Sequence, residues 1–257
     1  MRILTKAITY IALGLACLIS ASCQKDNTIL HYSTTMGNVV DGRFVSDEGN
    51  VFNVVEQSCQ GQLDTMHRAI VLCDILNKTV GGAENEYDIR LHGIGYVLTK
   101  EIVPSSTLTE ADAAKLVEDP IRLEQAWISG GYLNVYIMFP VKIGSTTAHM
   151  INLVEVEDDN AEEYAFSLRH NASGETLTEE NAALYQLGGA YVSFPLSSYI
   201  KEDSAKIAIT YKWHKEVGNG LSTETEYKTI NGEYVREGHD NVPKTINVLN
   251  SRKVLQF

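Results

Sequence analysis

This 257-residue chain is short of positive charge: 21 Lys and Arg stand against 33 Asp and Glu. Phosphate backbones are held by Lys/Arg contacts and counterion release, so a chain this acidic is not expected to bind nucleic acid. Adsorption to an anionic lipid surface is disfavoured on the same ground. Proline is scarce, at 5 residues, and the charges are dispersed, so the chain does not read as disordered. Cysteine is also rare, at 4, with no CxxC or Cys/His spacing suited to a metal. None of the seven histidines stands at close ligand spacing to another. No GxSxG, HExxH, phosphate loop or GxGxxG occurs in a suitable setting. The expectation is a non-enzymatic protein without cofactor or metal, acidic enough to stay dispersed.

One long apolar run exists, and it stands at the start. Arg2 and Lys6 precede an uncharged stretch from Ala7 to Cys23, 17 residues long. A bilayer core needs about 20 apolar residues, so the stretch is short for a membrane span. A basic start, a short apolar middle and small residues at a cut site are the parts of a signal peptide. Ser20-Ala21-Ser22 supplies the small residues and Cys23 follows, the residue that lipoprotein precursors acylate after cleavage. Ser20 stands where such precursors usually carry an aliphatic residue, so cleavage by an ordinary signal peptidase is the alternative. Several acyl chains on Cys23 would hold the protein firmly to a membrane. Gln24-Lys25-Asp26 is similar to the short signal that sends some Gram-negative lipoproteins to the outer face of the outer membrane. The periplasmic face is the other option. Removal of residues 1–22 takes Arg2 and Lys6 from the 21 basic residues and leaves 19 against 33 acidic, a net charge of about −14.

The body reads as strands. Arg43–Ser46 and Val51–Glu56 flank Asp47-Glu48-Gly49-Asn50, a hairpin signal with a glycine available for positive φ. Arg68–Asn77 is strongly β-prone. Tyr87–Leu98 alternates, with Tyr87, Ile89, Leu91 and Val97 on one face, and Gly93 and Gly95 expected to share it. Pro104-Ser105-Ser106 opens a break, and Thr109 is placed to cap a short helix over 109–118 that Asp119-Pro120 ends. Further strands are expected at Tyr132–Val141, Ala148–Val156, Glu163–His170, Ala190–Leu196, Ala205–Trp213 and Val242–Leu249, with a helical turn over Thr178–Leu184. Several short strands with loops between them argue for a β-sandwich. The domain expectation is a signal peptide at 1–22 and a lipidated tether at 23–30. A first β domain covers 31–103, a linker with a short helix 104–126, and an antiparallel sandwich 127–257.

Few residues stand out for chemistry. Cys59 and Cys73 could bridge if the loop carrying Cys59 folds back beside the strand of Cys73; two free thiols are the alternative. His149, Arg169 and His170 are the best polar candidates for touching a partner, although His170 falls on the apolar face of its strand and reads first as a satisfied core histidine. The carboxylates at 155–163 lack the order and glycine of a calcium loop and read as a solvated turn. Tyr96, opposite the apolar face of its strand, could stack on a sugar; covering the seam between domains is the favoured alternative.

Taken in order, Tyr87-Asp88-Ile89-Arg90 with Tyr96-Val97-Leu98-Thr99-Lys100, His149-Met150-Ile151-Asn152-Leu153-Val154, Leu168-Arg169-His170-Asn171-Ala172 and Tyr191-Val192-Ser193-Phe194-Pro195-Leu196 resemble the NigD-like lipoprotein family. The resemblance covers nearly the whole chain after the leader. It implies an all-β protein: a small OB-like barrel at 31–103, then a β-sandwich. Such a barrel can bind an oligosaccharide or oligonucleotide on its exposed face. Residues 24–103 hold 6 basic and 11 acidic residues, which again disfavours nucleic acid. The function expected is an outer-membrane lipoprotein that binds a protein or glycan partner. A bacteriocin-immunity or accessory role is one alternative; a hydrolase with an unrecognised site is another, and it requires convergent acid and base groups.

Overall fold

The computed structural model describes residues 33–157, 163–215, 223–236 and 244–246. Cys23, the Gln24-Lys25-Asp26 segment and the leader lie outside the described residues. The fold is all-β, with thirteen strands, two four-residue helices and three single 3-10 turns among the described residues.

Five strands close a barrel: β1 (Ser33–Val40), β2 (Arg43–Ser46), β3 (Val51–Gln57), β4 (Arg68–Lys78) and β5 (Glu86–Thr99). They pair in the ring β1-β2-β3-β5-β4-β1, parallel only between β3 and β5. That is the connectivity of an OB-type barrel. The hairpin turn is where Asp47-Glu48-Gly49-Asn50 indicated it, with Gly49 at φ +84. Inside lie Phe44, Phe52, Val71, Cys73, Ile89 and Leu91. Burying side chains of this size contributes about 1.5–3 kcal/mol each.

Strict alternation fails in β5. Leu72 pairs with Gly93 and Cys73 with Leu91, which leaves His92 as an extra residue. Beyond this bulge Ile94 packs on the core. Gly93 and Gly95 instead stand opposite Leu72 and Ile70, on the outer face of β4. The inward placement expected for the two glycines is therefore corrected by one inserted residue. The bridge considered between Cys59 and Cys73 is not formed, and both thiols are free. The cause is topological: Cys73 pairs with Leu91 from one side of β5, while Ser58 N–H, next to Cys59, bonds Leu91 O from the other.

The sandwich follows. Helix α1 (Glu110–Ala113) is capped by Thr109, whose Oγ1 accepts from Asp112 N–H as expected from the sequence, but it ends at Ala113 and not at 118. Strands β6 (Arg122–Ser129), β7 (Tyr132–Lys142) and β10 (Tyr185–Pro195) form one sheet with β13 (Lys244–Ile246). Arg122, placed in the linker by sequence, is thus already in a strand. The facing sheet has the order β12 (Thr225–Val235), β11 (Ser204–His214), β9 (Glu163–Asn171) and β8 (Met150–Glu155). The β9–β11 pair is parallel, so the sandwich is not wholly antiparallel. Helix α2 (Leu196–Tyr199) leaves the end of β10.

The two parts share a strand. The last residues of β5 leave the barrel and pair in parallel with β10, Val97 with Tyr191 through Thr99 with Ser193.

Candidate functional site

His149 and His170 come together, but inside the sandwich. His149 Nδ1 lies 2.9 Å from His170 Nε2, and His149 Nε2 lies 3.4 Å from Glu175 Oε2. Phe139 packs on both imidazoles at 4.9 and 4.8 Å. His170 is 1% exposed. Desolvation by burial, reinforced by the neighbouring His149, pushes its pKa down to about 4. Glu175 accepts from Ser145 Oγ and from Lys142 N–H, which lower its pKa to about 2. The cluster ties the loop after β7, the end of β9 and the turn at 172–175 together. No partner can reach His170 there. Arg169 points the other way: it donates to Leu116 O at 3.1 Å and lies 3.3 Å from Glu118, which also accepts from Tyr227 Oη at 2.6 Å.

A second polar cluster was not anticipated from sequence. Arg68 enters the seam between barrel and sandwich with its side chain fully buried. Its guanidinium holds Asp47 bidentately at 2.9 and 2.8 Å. The same group donates to Asn38 Oδ1, Ser193 Oγ and Asn134 Oδ1, and its Cζ lies 4.0 Å above the Tyr132 ring. Ser129 Oγ donates to Asp47 at 2.6 Å. Asn38 and Asp47 come from the barrel; Ser129, Tyr132, Asn134 and Ser193 come from the sandwich. Gly130, at φ +58, is obligatory in the β6–β7 turn: a Cβ there would meet Asp47 Oδ1 at 2.3 Å. The array is structural, since it leaves nothing exposed for a ligand.

The accessible candidate is the outer wall of β3, β5 and β4. Outward residues of these strands form successive polar rungs. Asn53 Nδ2 donates to Glu86 Oε1 at 2.8 Å and to Thr79 Oγ1 at 3.0 Å. Thr79 Oγ1 and Asn77 Nδ2 both donate to Asp88, at 2.7 and 2.8 Å. These bonds hold the Glu86 and Asp88 pKa values below the usual carboxylate range. Next, Arg90 Nε bonds Glu56 at 2.5 Å, and its Nη1 lies 3.8 Å from Asp74. The last rung joins Ser58 Oγ to His92 Nδ1 at 2.9 Å and His92 Nε2 to Asp74 Oδ2 at 2.8 Å. Tyr96 lies further along β5 and is 65% exposed, so it does not cover the seam. Among the described residues no group of three or more His, Cys, Asp or Glu is arranged to hold a metal ion. What the wall offers is a dense set of amide, carboxylate, guanidinium and hydroxyl groups in fixed positions.

Residues 104–227 match the family model of the NigD-like C-terminal beta sandwich domain. No curated protein matches the chain. Solved structures resemble it over most of its length. A protein of unknown function from Bacteroides vulgatus is 21% identical, with 83% of this chain and 95% of that one covered and a TM-score of 0.59. A candidate lipoprotein from Bacteroides fragilis is 14% identical, with 81% and 100% covered and a TM-score of 0.58. A NigD-like immunity protein from Bacteroides caccae is 18% identical, with 83% and 99% covered and a TM-score of 0.51. At these identities the shared property is the fold.

Proposed function

We propose, for a chain whose residues 104–227 form a NigD-like C-terminal β-sandwich domain, that it is an envelope lipoprotein which binds a glycan on its barrel wall. Cys23, acylated, anchors it to the outer membrane, and Gln24-Lys25-Asp26 directs it to the outer face. The observation that carries the reading is the hydrogen-bonded ladder from Glu86 to His92. Its side chains are held by one another before any ligand arrives, which lowers the ordering cost of binding. Hydroxyl-rich ligands exchange donors and acceptors with such amide and carboxylate groups. The carboxylates Glu56, Asp74, Glu86 and Asp88 repel phosphate, which again sets nucleic acid aside.

The test joins anchor and site. Cys23→Ala is expected to move the protein from the membrane fraction to the soluble one; unchanged fractionation overturns the lipoprotein reading. The mature protein is then screened against envelope glycans, and Arg90→Ala with Asn53→Ala is expected to weaken binding at least roughly tenfold. If no glycan binds and an envelope protein is captured instead, the partner is a protein. Protection against a secreted toxin is a second reading, favoured by the immunity role named for the Bacteroides caccae structure. Deletion of the gene would then sensitise cells to a bacteriocin of neighbouring strains.

A further inference from the structure

The end of the barrel ladder holds a serine, a histidine and an aspartate in a line. Ser58 follows the last residue of β3 and is exposed. Its N–H is fixed by Leu91 O at 2.9 Å, which sets the direction of its side chain. The Oγ lies 2.9 Å from His92 Nδ1 and, more distantly, 3.3 Å from Leu91 O. His92 Nε2 lies 2.8 Å from Asp74 Oδ2. His92 follows the inward Leu91 and so faces outward beside Arg90; it is the inserted residue of the β5 bulge, which brings Gly93 and then Gly95 onto the same outer face. The protonation pattern follows from donor and acceptor inventory. An ionised carboxylate only accepts, so the His92 proton sits on Nε2, and the Nδ1 lone pair faces the Ser58 hydroxyl. Asp74 is 13% exposed, and its second oxygen is buried without a hydrogen-bond partner among the described residues. Its bond to His92 is therefore the dominant one that it makes.

Beside the serine the wall is bare. Gly93 and Gly95 leave no side chains on the outer face of β5 next to His92. A Cβ built on either meets nothing closer than Leu72 at 3.5 Å or Ile70 at 3.4 Å. The result is a glycine floor with an aliphatic edge, and such floors allow a ligand to approach the backbone closely. The turn after Ser58 is held by Gln57 Nε2, which donates to Cys59 O and Gly61 O at 3.0 and 2.8 Å.

We propose that Ser58 is a nucleophile, with His92 as its general base and Asp74 positioning the imidazole, and that the substrate class is carboxylic esters with a short apolar acyl group. The Ser58 O–H bond breaks as its proton passes to His92 Nδ1, and a bond forms from Oγ to the ester carbonyl carbon. The ester C–O bond then breaks, and the leaving alcohol takes the proton from His92. Water, activated by His92, hydrolyses the acyl-Ser58 ester to acid and free serine. Overall an ester and water give an acid and an alcohol. The acyl chain lies on the Gly93–Gly95 floor against Leu72 and Ile70. This activity goes beyond glycan binding and is read without any glycan.

The test treats the full mature protein with a fluorophosphonate probe, locates the adduct by peptide mass spectrometry, and follows p-nitrophenyl butyrate hydrolysis in parallel. One adduct, on Ser58, is expected. Ser58→Ala abolishes it, and His92→Gln slows labelling roughly a hundredfold. Asp74→Asn reverses which His92 nitrogen carries the proton. It slows the inactivation step at an unchanged half-saturating probe concentration, a split that loss of local structure would not produce. Far-UV spectra of each variant identify any that fail to fold, and Ser58→Cys, with an exposed and isosteric thiol, keeps the question open to alkylation by iodoacetamide. No labelling of the folded protein, labelling elsewhere, or labelling indifferent to His92→Gln overturns the proposal.

Discussion

Arg68 has exchanged all of its water for protein partners, and Asp47 depends on it. A buried ion pair of this kind adds little over an apolar replacement of both partners, but removal of one leaves the other charge stranded. Arg68→Ala is therefore expected to cost about 3–5 kcal/mol in equilibrium unfolding. Arg68→Lys also destabilises, because an ammonium cannot reproduce the two-pronged hold on Asp47 or the stacking on Tyr132. A lysine variant as stable as the parent would show that charge alone suffices. His170 sets a different test. Its folded pKa, about 4, lies below the ordinary 6.5, so the unfolded chain takes up the proton first as pH falls. The charged or titratable groups facing it are His149 and Asp119. Its contribution is complete above pH 6.5 and is lost between 6.5 and 4, roughly 3 kcal/mol at most. Glu175 adds a second decline from about 4.5 towards 2, since its folded pKa is also depressed. Urea midpoints measured from pH 7 to 4 are expected to fall in the parent and to flatten in His170→Phe. Equal slopes would place the sensitivity elsewhere.

At the scale of elements, β1 is the strand that the barrel turns on. Gly37 pairs with Ser46 of β2 and with Ala69 of β4, and like Asn38 after it stands where β1 is flanked on both sides. A Cβ there would lie 2.1 Å from Val45 O, a backbone atom that cannot move aside. Gly37→Ala is expected to destabilise by about 1–3 kcal/mol by thermal or chemical unfolding, with the barrel strands losing amide protection first. The same elements explain what could be read in advance. The β2–β3 hairpin and β11 were legible because a turn signal or a clean alternation survives in them. β12 was not: only Ile230 and Tyr234 of its eleven residues are buried. β6 was missed altogether, because a register shift between Leu123 and Gln125 breaks its period. The ladder on the barrel wall was invisible for a different reason. Its members lie on the polar faces of three strands, where a half-buried sheet tolerates any hydrophilic residue, and only closure of the ring brings Ser58, Asp74 and His92 together. Arg68 was read as the polar start of a strand, since no local pattern distinguishes a buried arginine from a solvated one.

For the whole molecule, the seam and the shared strand predict how it unfolds. β5 contributes to the barrel core through Ile89 and Leu91 and to the sandwich sheet through its pairing with β10. Neither part keeps its hydrogen bonds if the other opens. Both tryptophans, Trp127 and Trp213, lie in the sandwich, so their fluorescence reports on that half, whereas far-UV dichroism sees both. The two signals are expected to coincide in urea, as they do for a two-state unit. Separated midpoints would mean that Arg68 and β5 couple the halves weakly. In Arg68→Ala the midpoints would separate before either half lost its own core.

The passage of β5 from one part to the other also decides where this protein can be divided. A cut in the break after Thr99, which a reading by domains recommends, would deprive β10 of its parallel neighbour from Tyr191 to Ser193. An isolated sandwich would then present an unprotected edge, with amides and carbonyls ready to recruit a strand from another molecule. Carried back to about Glu86, the fragment would keep its neighbour but carry Ile89 and Leu91 into water. Fragments made on either plan would self-associate, and the smallest well-behaved unit begins where β1 does.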